Sequence, residues 1–375
     1  MAHRGIHRTL RPGMACTNSL HGMTHGPIQF PVLCYHRAMG SEHGVPEPNR
    51  AVALGRRSFD LFPGVGGGNS ASTITVLVAF LVNALVAAAK SVAAVLTGSA
   101  SMLAEAAHSW ADTGNEVFLV IANRRARRPA DAEHPLGHGK EAYVWSLFAA
   151  LGLLVAGSAV SITRGVQELM APEAGGDFLV AYVVLAVSFV LESVSFSRSI
   201  RQSRREAESM HRDLLEHVLA TSDPTLRAVV AEDAAALVGL LLAAGGLMGR
   251  ELTSSSTPDA IGSILIGVLL GAVAIVLING NRRFLVGQEA DPRVRRATLQ
   301  ELLAVPEVAR VTYLRLEFVG PRYVVIVGRV DIIGDDVESL LAVRLRTLEA
   351  KISASPAVAA TLLSLSAPDE ASLSV

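Results

Sequence analysis

The feature that most constrains this chain is a series of apolar blocks, each long enough to cross a lipid bilayer. A span needs roughly 20 mostly apolar residues. Inside lipid such a block must be helical, because every backbone polar group needs a partner there. The blocks predict six spans, at about 73–97, 99–122, 142–166, 178–200, 226–249 and 258–285. The sequence therefore predicts an α-helical, multi-pass protein of the cell membrane, in contact with lipid.

The apolar blocks divide the chain into three regions. Residues 1–70 hold six of the eleven histidines with many Pro, Gly and Arg and no sustained apolar period, a composition typical of disorder. Residues 71–288 form the predicted six-helix membrane domain. Residues 289–375 show the order helix, strand, strand, helix, strand, which predicts a small α+β domain. Its elements are expected at about 293–304, 308–318, 323–333, 337–352 and 357–366.

The distribution of Lys and Arg predicts the orientation. Arginines concentrate in the joints after the second span, at 124–128, and after the fourth, at 201–212. The joints at 97–100 and 167–177 have neither Lys nor Arg. Since positive loops stay in the cytoplasm, both chain termini and the α+β domain are predicted to be cytoplasmic.

Composition also excludes several functional classes. The formal net charge is −1 and no basic face stands out, so binding to nucleic acid is not expected. The two cysteines, Cys16 and Cys34, lie near the N-terminus, so the remaining chain cannot build a thiolate metal site. An intramembrane enzyme would need a nucleophile or an Asp-rich diphosphate motif. Neither is visible, so the chain is not expected to be an enzyme.

Ionisable residues inside the second span indicate a metal site. An ionisable group within a span is costly and is by default a functional hypothesis. His108 and Asp112 lie four residues apart, hence on one helix face. A nitrogen and an oxygen ligand together favour zinc and its first-row neighbours over calcium or magnesium. The alternative is a hydrogen-bonded pair with a purely structural role.

The fifth span contains two adjacent acids, Glu232 and Asp233. Neighbouring positions of a helix diverge by about 100°, so at least one acid should face a polar cavity or the second span. The sequence leaves open which of the two would be a ligand. Together with His108 and Asp112, these acids could complete a four-ligand site between helices.

A second candidate metal site lies in the joint after the second span. Asp131, His134 and His138 occur within eight residues, and the glycines and proline among them favour a turn. One carboxylate and two imidazoles can bind a metal ion at a surface. The alternative is a structured loop whose histidines pair with acids.

Four further polar residues receive structural interpretations. Lys90 in the first span is expected to pair with an acid of the bundle, and Asp259 to act as a first-turn acid of its own helix. His211 and His217 fall in the charged joint after the fourth span, where both are expected to be solvated.

The motifs KSVAAVLTGSASMLAEAAHSWADTGN and HPLGHGKEAYVW, with six spans and a small α+β domain, resemble the cation diffusion facilitator family. The resemblance runs from about residue 73 to the end. The segment VVAEDAAALVG resembles the zinc transporter nine branch of that family. The resemblance implies a homodimer that exchanges a divalent metal ion for protons, with a ferredoxin-like cytoplasmic domain. It implies transport ligands at His108 and Asp112 and a loop site at Asp131, His134 and His138.

Two departures from the family pattern affect these expectations. The usual fifth-span pair is four residues apart, but here Val229 or Ala236 takes one of the two places, depending on the register. Manganese therefore becomes an alternative to zinc, beside iron and cobalt, and a non-transporting, metal-responsive scaffold is a further alternative. No His or Cys follows His217, so the α+β domain is expected to dimerise without metal. The metal is expected as transported substrate, and no cofactor is expected.

Overall fold

The computed structural model of the chain describes residues 73–172, 176 and 178–374, with side chains in the first helix from Phe80 onward. The predicted disorder of residues 1–70 lies outside the described residues. So do Cys16, Cys34 and the six N-terminal histidines. All the metal-site candidates in the spans and in the joint after the second span are described.

Helices occupy all six predicted spans. The bounds are α1 Thr73–Thr97, α2 Ala100–Ala126, α3 Glu141–Gly152, α4 Val160–Met170, α5 Leu179–Ser209, α6 Leu214–Ala220, α7 Pro224–Thr253 and α8 Thr257–Val286. A π-helical turn, Leu153–Ala159, joins α3 to α4 without a break. Five helical stretches in the described part of the chain are long and apolar enough to cross a membrane, which makes this a multi-pass membrane protein. The 27-residue α2 is not among them, because it carries the polar residues on which the site depends.

The starts of two helices follow from an Asp-Pro pair. Asp223 accepts hydrogen bonds from the backbone N–H groups of Thr225 (3.0 Å) and Leu226 (3.3 Å), and Pro224 begins α7. Asp291 does the same for Arg293 (2.8 Å) before the helix α9, Pro292–Leu303. The carboxylate accepts hydrogen bonds from backbone N–H groups of the first turn, which have no partner within the helix. Proline is tolerated in that turn because a backbone N–H there would make no hydrogen bond within the helix.

Small residues let the long helices approach closely. A Cβ at Gly165 of α4 would lie 2.7 Å from the carbonyl oxygen of Ala260 on α8. One at Gly267 of α8 would lie 2.9 Å from Ser158 O in the π-helical turn. Such close backbone approach is how helices associate in lipid, where no hydrophobic force drives them together.

Asp259 at the start of α8 fixes the start of α2. Its carboxylate accepts hydrogen bonds from Ser99 Oγ (2.8 Å) and from the backbone N–H groups of Ala100 (2.8 Å) and Ser101 (3.2 Å). Arg250 Nη1 of α7 lies 3.2 Å from the same carboxylate. Asp259 does lie in the first turn of its own helix, as expected, but its hydrogen bonds cap a different helix. This contact could not be predicted from the sequence, because Ser99 and Asp259 are 160 residues apart.

The C-terminal part is an α+β domain with the predicted order of elements. Helix α9 is followed by β1 Val308–Gly320, β2 Tyr323–Ile332, α10 Glu338–Ser353 and β3 Val358–Leu365. Strands β1 and β2 form an antiparallel hairpin, and β3 pairs in parallel with β2 after the α10 crossover. The core of the domain contains Leu302, Leu316, Ile326 and Ile352, all inaccessible to solvent.

The joint between α2 and α3 contacts the β1–β2 hairpin. A Cβ built on Gly139 would lie 2.8 Å from Gly320 Cα, and it would come still closer to the carbonyl oxygen of Val319. A residue larger than glycine therefore cannot be accommodated here without movement of backbone. The joint that carries His134 and His138 is thereby fitted against the turn of the sheet.

Candidate functional site

One face of α2 carries buried nitrogen and oxygen atoms that have no hydrogen-bond partner. His108 is inaccessible to solvent, and its Nδ1 lies 3.4 Å from Asp112 Oδ2. That contact does not have hydrogen-bond geometry, since both ring nitrogens of His108 and Asp112 Oδ1 are buried without a hydrogen-bond partner. Unpaired buried polar atoms are costly and call for an explanation such as a ligand. These atoms are of the types that bind a divalent transition metal.

The two adjacent acids of α7 point to different helices. Glu232 accepts a hydrogen bond from Asn115 Nδ2 of α2 and interacts electrostatically with Asp112. Asp233 Oδ2 accepts hydrogen bonds from Ser195 and Ser199 of α5, both at 3.1 Å. The helix therefore directs Glu232 toward the face of α2 with His108 and Asp112, and Asp233 away from it.

Asn115 is a site neighbour that the sequence interpretation did not single out. It lies three residues after Asp112, so it shares the helix face of His108 and Asp112. Its side chain is 3% exposed, its Nδ2 holds Glu232, and its Oδ1 has no hydrogen-bond partner. The same spacing rule that linked His108 to Asp112 could have found it.

A buried ion pair lies next to this face. Lys90 Nζ of α1 is 2.9 Å from Glu105 Oε2 of α2, and both side chains are inaccessible to solvent. Lys90 thus pairs with an acid of the bundle, as predicted. Glu105 Oε1 has no hydrogen-bond partner, and a Cβ at Gly239 of α7 would collide with it. Gly239 therefore makes room for the carboxylate of Glu105, which lies three residues before His108 in α2.

The joint after α2 brings Asp131, His134 and His138 together. Asp131 Oδ1 lies 3.2 Å from His134 Nδ1, and Oδ2 lies 2.9 Å from His138 Nε2. One ligand atom from each residue falls within 4.8 Å of the others, and within the described ranges no other trio of His, Cys, Asp or Glu does so. His108, Asp112, Glu232 and Asp233 are therefore not gathered to ligand distance, whereas the loop trio is.

Local backbone structure builds the loop trio. Asp131 Oδ1 accepts hydrogen bonds from the backbone N–H groups of Glu133 (3.0 Å) and His134 (2.7 Å), and Gly137 adopts a left-handed conformation, with φ of 78°. The hydrogen bond with His138, together with that from the His134 backbone, holds the pKa of the Asp131 carboxyl well below its usual range. The carboxylate is therefore ionised at neutral pH, the form that binds metal.

A bundle of long apolar helices that buries ionisable groups with unpaired nitrogen and oxygen atoms is typical of membrane proteins that move ions. Residues 76–286, more than half of the chain, match the family model described as the cation efflux transmembrane domain. The chain belongs to the cation efflux family, which confirms the predicted resemblance to cation diffusion facilitators. Proteins of this family are transporters and not enzymes.

Individual relatives share part of the chain. Metal tolerance protein C4 from Arabidopsis thaliana is 36% identical over 220 residues, 59% of this chain and 48% of the plant protein. The mitochondrial proton-coupled zinc antiporter SLC30A9 from Xenopus laevis is 36% identical over 224 residues, 60% of this chain and 40% of its own length. The manganese efflux system protein MneP from Bacillus subtilis is 22% identical over 239 residues. The chain thus spans less than half the length of the first two relatives.

Proposed function

We propose that the chain exports a divalent transition-metal ion, zinc first among candidates, in exchange for protons. The observation that carries this proposal is the α2 face, where His108 and Asp112 bury unpaired nitrogen and oxygen atoms beside Glu232. The family supports metal-ion efflux, and the likeness to the amphibian proton-coupled zinc antiporter supports zinc and protons. In this proposal His108, Asp112 and Glu232 hold the transported ion, with Asp233 as the fourth candidate ligand, and Asp131, His134 and His138 form a separate loop site.

Coupling to protons follows from the chemistry of the ligands. Metal binding requires a neutral imidazole and ionised carboxylates, so protons and metal compete for the same groups. Imidazole changes charge near neutral pH when unperturbed. Protons that enter from one side then displace the metal, and metal displaces protons on the other side.

The proposal includes an architecture for the whole protein. Helix α2 also crosses the membrane, which brings the number of spans to six, and it is stabilised there by the polar partners that its neighbours supply. Both termini lie in the cytoplasm, and the α+β domain is of the ferredoxin-like class and dimerises. Leu340 and Val343 of α10 are exposed, which supports a protein contact on that domain.

Manganese is the second candidate substrate, favoured by the carboxylate-rich fifth span and by the likeness to the Bacillus protein. A metal-responsive scaffold that does not transport is the remaining alternative. The zinc, manganese and scaffold hypotheses predict different metal fluxes, so one experiment distinguishes them.

The test is metal uptake into proteoliposomes across a set pH gradient, with zinc, manganese, iron and cobalt compared. We expect a zinc flux that follows the proton gradient. Asp112→Asn and His108→Ala should each abolish this flux, because each variant removes one ligand of the ion. Glu251→Gln is the matched control, since this carboxylate lies at the far end of α7 and binds Tyr182. Equal flux in all variants would place the site elsewhere, flux indifferent to pH would remove the exchange, and no flux for any metal would favour the scaffold.

A further inference from the structure

A cavity of about 350 Å³ lies where the membrane helices meet the α+β domain. Its wall includes the ends of α5 and α8, the helix α6, the start of α9 and residue Phe318 of β1. The volume is in the range of small-molecule sites. The cavity lies beside the charged C-terminal ends of the long helices α5 and α8.

Two arginines in the cavity wall lack an acidic partner. Arg283 donates from Nη2 to the carbonyl oxygen of Leu219 (3.0 Å), and Arg295 donates from Nε to that of Leu314 (3.1 Å). Neither has a carboxylate within 4.0 Å among residues 80–172 and 178–374. Each guanidinium therefore retains N–H groups for a ligand.

Two more arginines of the wall are held in place by carboxylates. Arg212 Nη2 lies 2.5 Å from Asp291 Oδ2, and Arg322 Nη2 donates to Glu206 Oε2 at 2.8 Å. Arg212 is nearly buried, and its Nε has no hydrogen-bond partner. Each of these two arginines also lies within 4.0 Å of a second carboxylate, that of Glu216 for Arg212 and that of Asp223 for Arg322. Their charges are therefore balanced, and the guanidinium groups of the wall that can bind an anion are the two without an acidic partner.

His217 of α6 adds a buried donor to the same wall. It is only 2% exposed, which corrects the expectation that it is solvated. Its Nδ1 has no hydrogen-bond partner, and its Nε2 lies 3.5 Å from Glu206 Oε2. A ligand in the cavity could form the hydrogen bond that this buried ring nitrogen lacks.

We propose that this cavity binds the phosphate group of an anionic ligand, carried by a phospholipid headgroup or present as free phosphate. Guanidinium groups match phosphate oxygens in pairs of parallel hydrogen bonds, and Arg283 and Arg295 supply them without a competing carboxylate. Basic pockets between helix ends at the membrane surface bind acidic headgroups for the same reason. The ligand would bridge the helix bundle and the α+β domain, since Arg283 belongs to α8 and Arg295 to α9.

The test measures the unfolding temperature of the full, metal-free protein in detergent. One series adds inorganic phosphate at constant ionic strength. A second series adds phosphatidylglycerol or, for comparison, phosphatidylcholine to the micelles. We expect stabilisation by phosphate, by phosphatidylglycerol or by both, and the series that responds identifies the source. The double variant Arg283→Gln, Arg295→Gln should need at least about tenfold more ligand for the same shift, because each guanidinium contributes a charge-assisted bond.

The control is Arg282→Gln, Arg296→Gln, because these arginines neighbour the first pair in sequence but do not line the cavity. It should respond as the unmodified chain does. No stabilisation in any series would overturn the proposal. An equal loss in both double variants would also overturn it, since the effect would then be general charge attraction. If the cavity double variant does not fold, the single variants take its place, each with a loss of about tenfold.

Discussion

Among single residues, the adjacent acids Glu232 and Asp233 form hydrogen bonds with different helices. Glu232 is held by Asn115 on the face of α2 that also carries His108 and Asp112, whereas Asp233 is held by two serines of α5. A rotation of about 100° between successive helical positions is the reason. We therefore expect only one of the two carboxylates to contribute strongly to metal binding.

The prediction is that Glu232→Gln weakens zinc binding by about tenfold to a hundredfold, since one charged oxygen ligand is lost at a cost of about 1.5–3 kcal/mol. Asp233→Asn should change the affinity less than about threefold, because the amide can still bind Ser195 and Ser199. Calorimetric titration of the purified full chain measures both. Equal losses would show that both carboxylates bind the ion, and a larger loss for Asp233→Asn would show that the acid facing α5 is the main ligand; either result contradicts the prediction.

The residues of the site could be predicted from the sequence only in part. The spacing of His108 and Asp112 places them on one face of any helix, whatever surrounds it. Which of two adjacent acids faces α2 depends on how α7 is rotated in the bundle, and that rotation is a product of packing. The burial of His217 could not be predicted either, because the joint around it is rich in charge.

At the scale of elements, the joint after α2 depends on Gly139. The glycine lets the joint contact Val319 and Gly320 at the hairpin turn, and His138 precedes it directly. The joint thus connects a candidate metal site to the α+β domain through one backbone contact.

We predict that Gly139→Ala destabilises the protein by about 1–3 kcal/mol, the usual cost of forcing extra volume into a packed contact. The backbone of the hairpin would have to move, since no flexible side chain can yield there. Thermal unfolding of the full chain measures the effect. Gly245→Ala serves as the control, because a Cβ at Gly245 of α7 has no neighbour within 4 Å and alanine favours helix. A difference between the two variants below about 0.5 kcal/mol would contradict the contact.

The elements themselves were more predictable than their pairing. The order of helices and strands in the α+β domain follows from the periods of apolar residues. The parallel pairing of β3 with β2 and the π-helical turn at Leu153–Ala159 do not. Hydropathy is uniform across that turn, so a change in backbone hydrogen bonding leaves no mark on the sequence.

At the scale of the whole molecule, the predicted topology can be tested directly. Cys16 and Cys34 are first replaced by serine, and single cysteines are introduced as Ala130→Cys and Ala171→Cys. In intact cells, a membrane-impermeant thiol reagent should label position 171 and leave position 130 unlabelled until the membrane is opened. The physical reason is that arginine-rich joints resist translocation. The reverse labelling would invert the protein and with it the direction of metal movement proposed here.

The contact of Asp259 with the start of α2 has a consequence for how the protein is made. A ribosome releases α2 long before α8, so the carboxylate that caps the first turn of α2 does not yet exist when α2 reaches the membrane. Among the six long helices of the described chain, α2 is the one that fails the apolar criterion for crossing by itself. In the six-span architecture proposed above, we therefore expect α2 to reach its final placement only after α8 is made, so that the bundle is completed late and not one helix at a time.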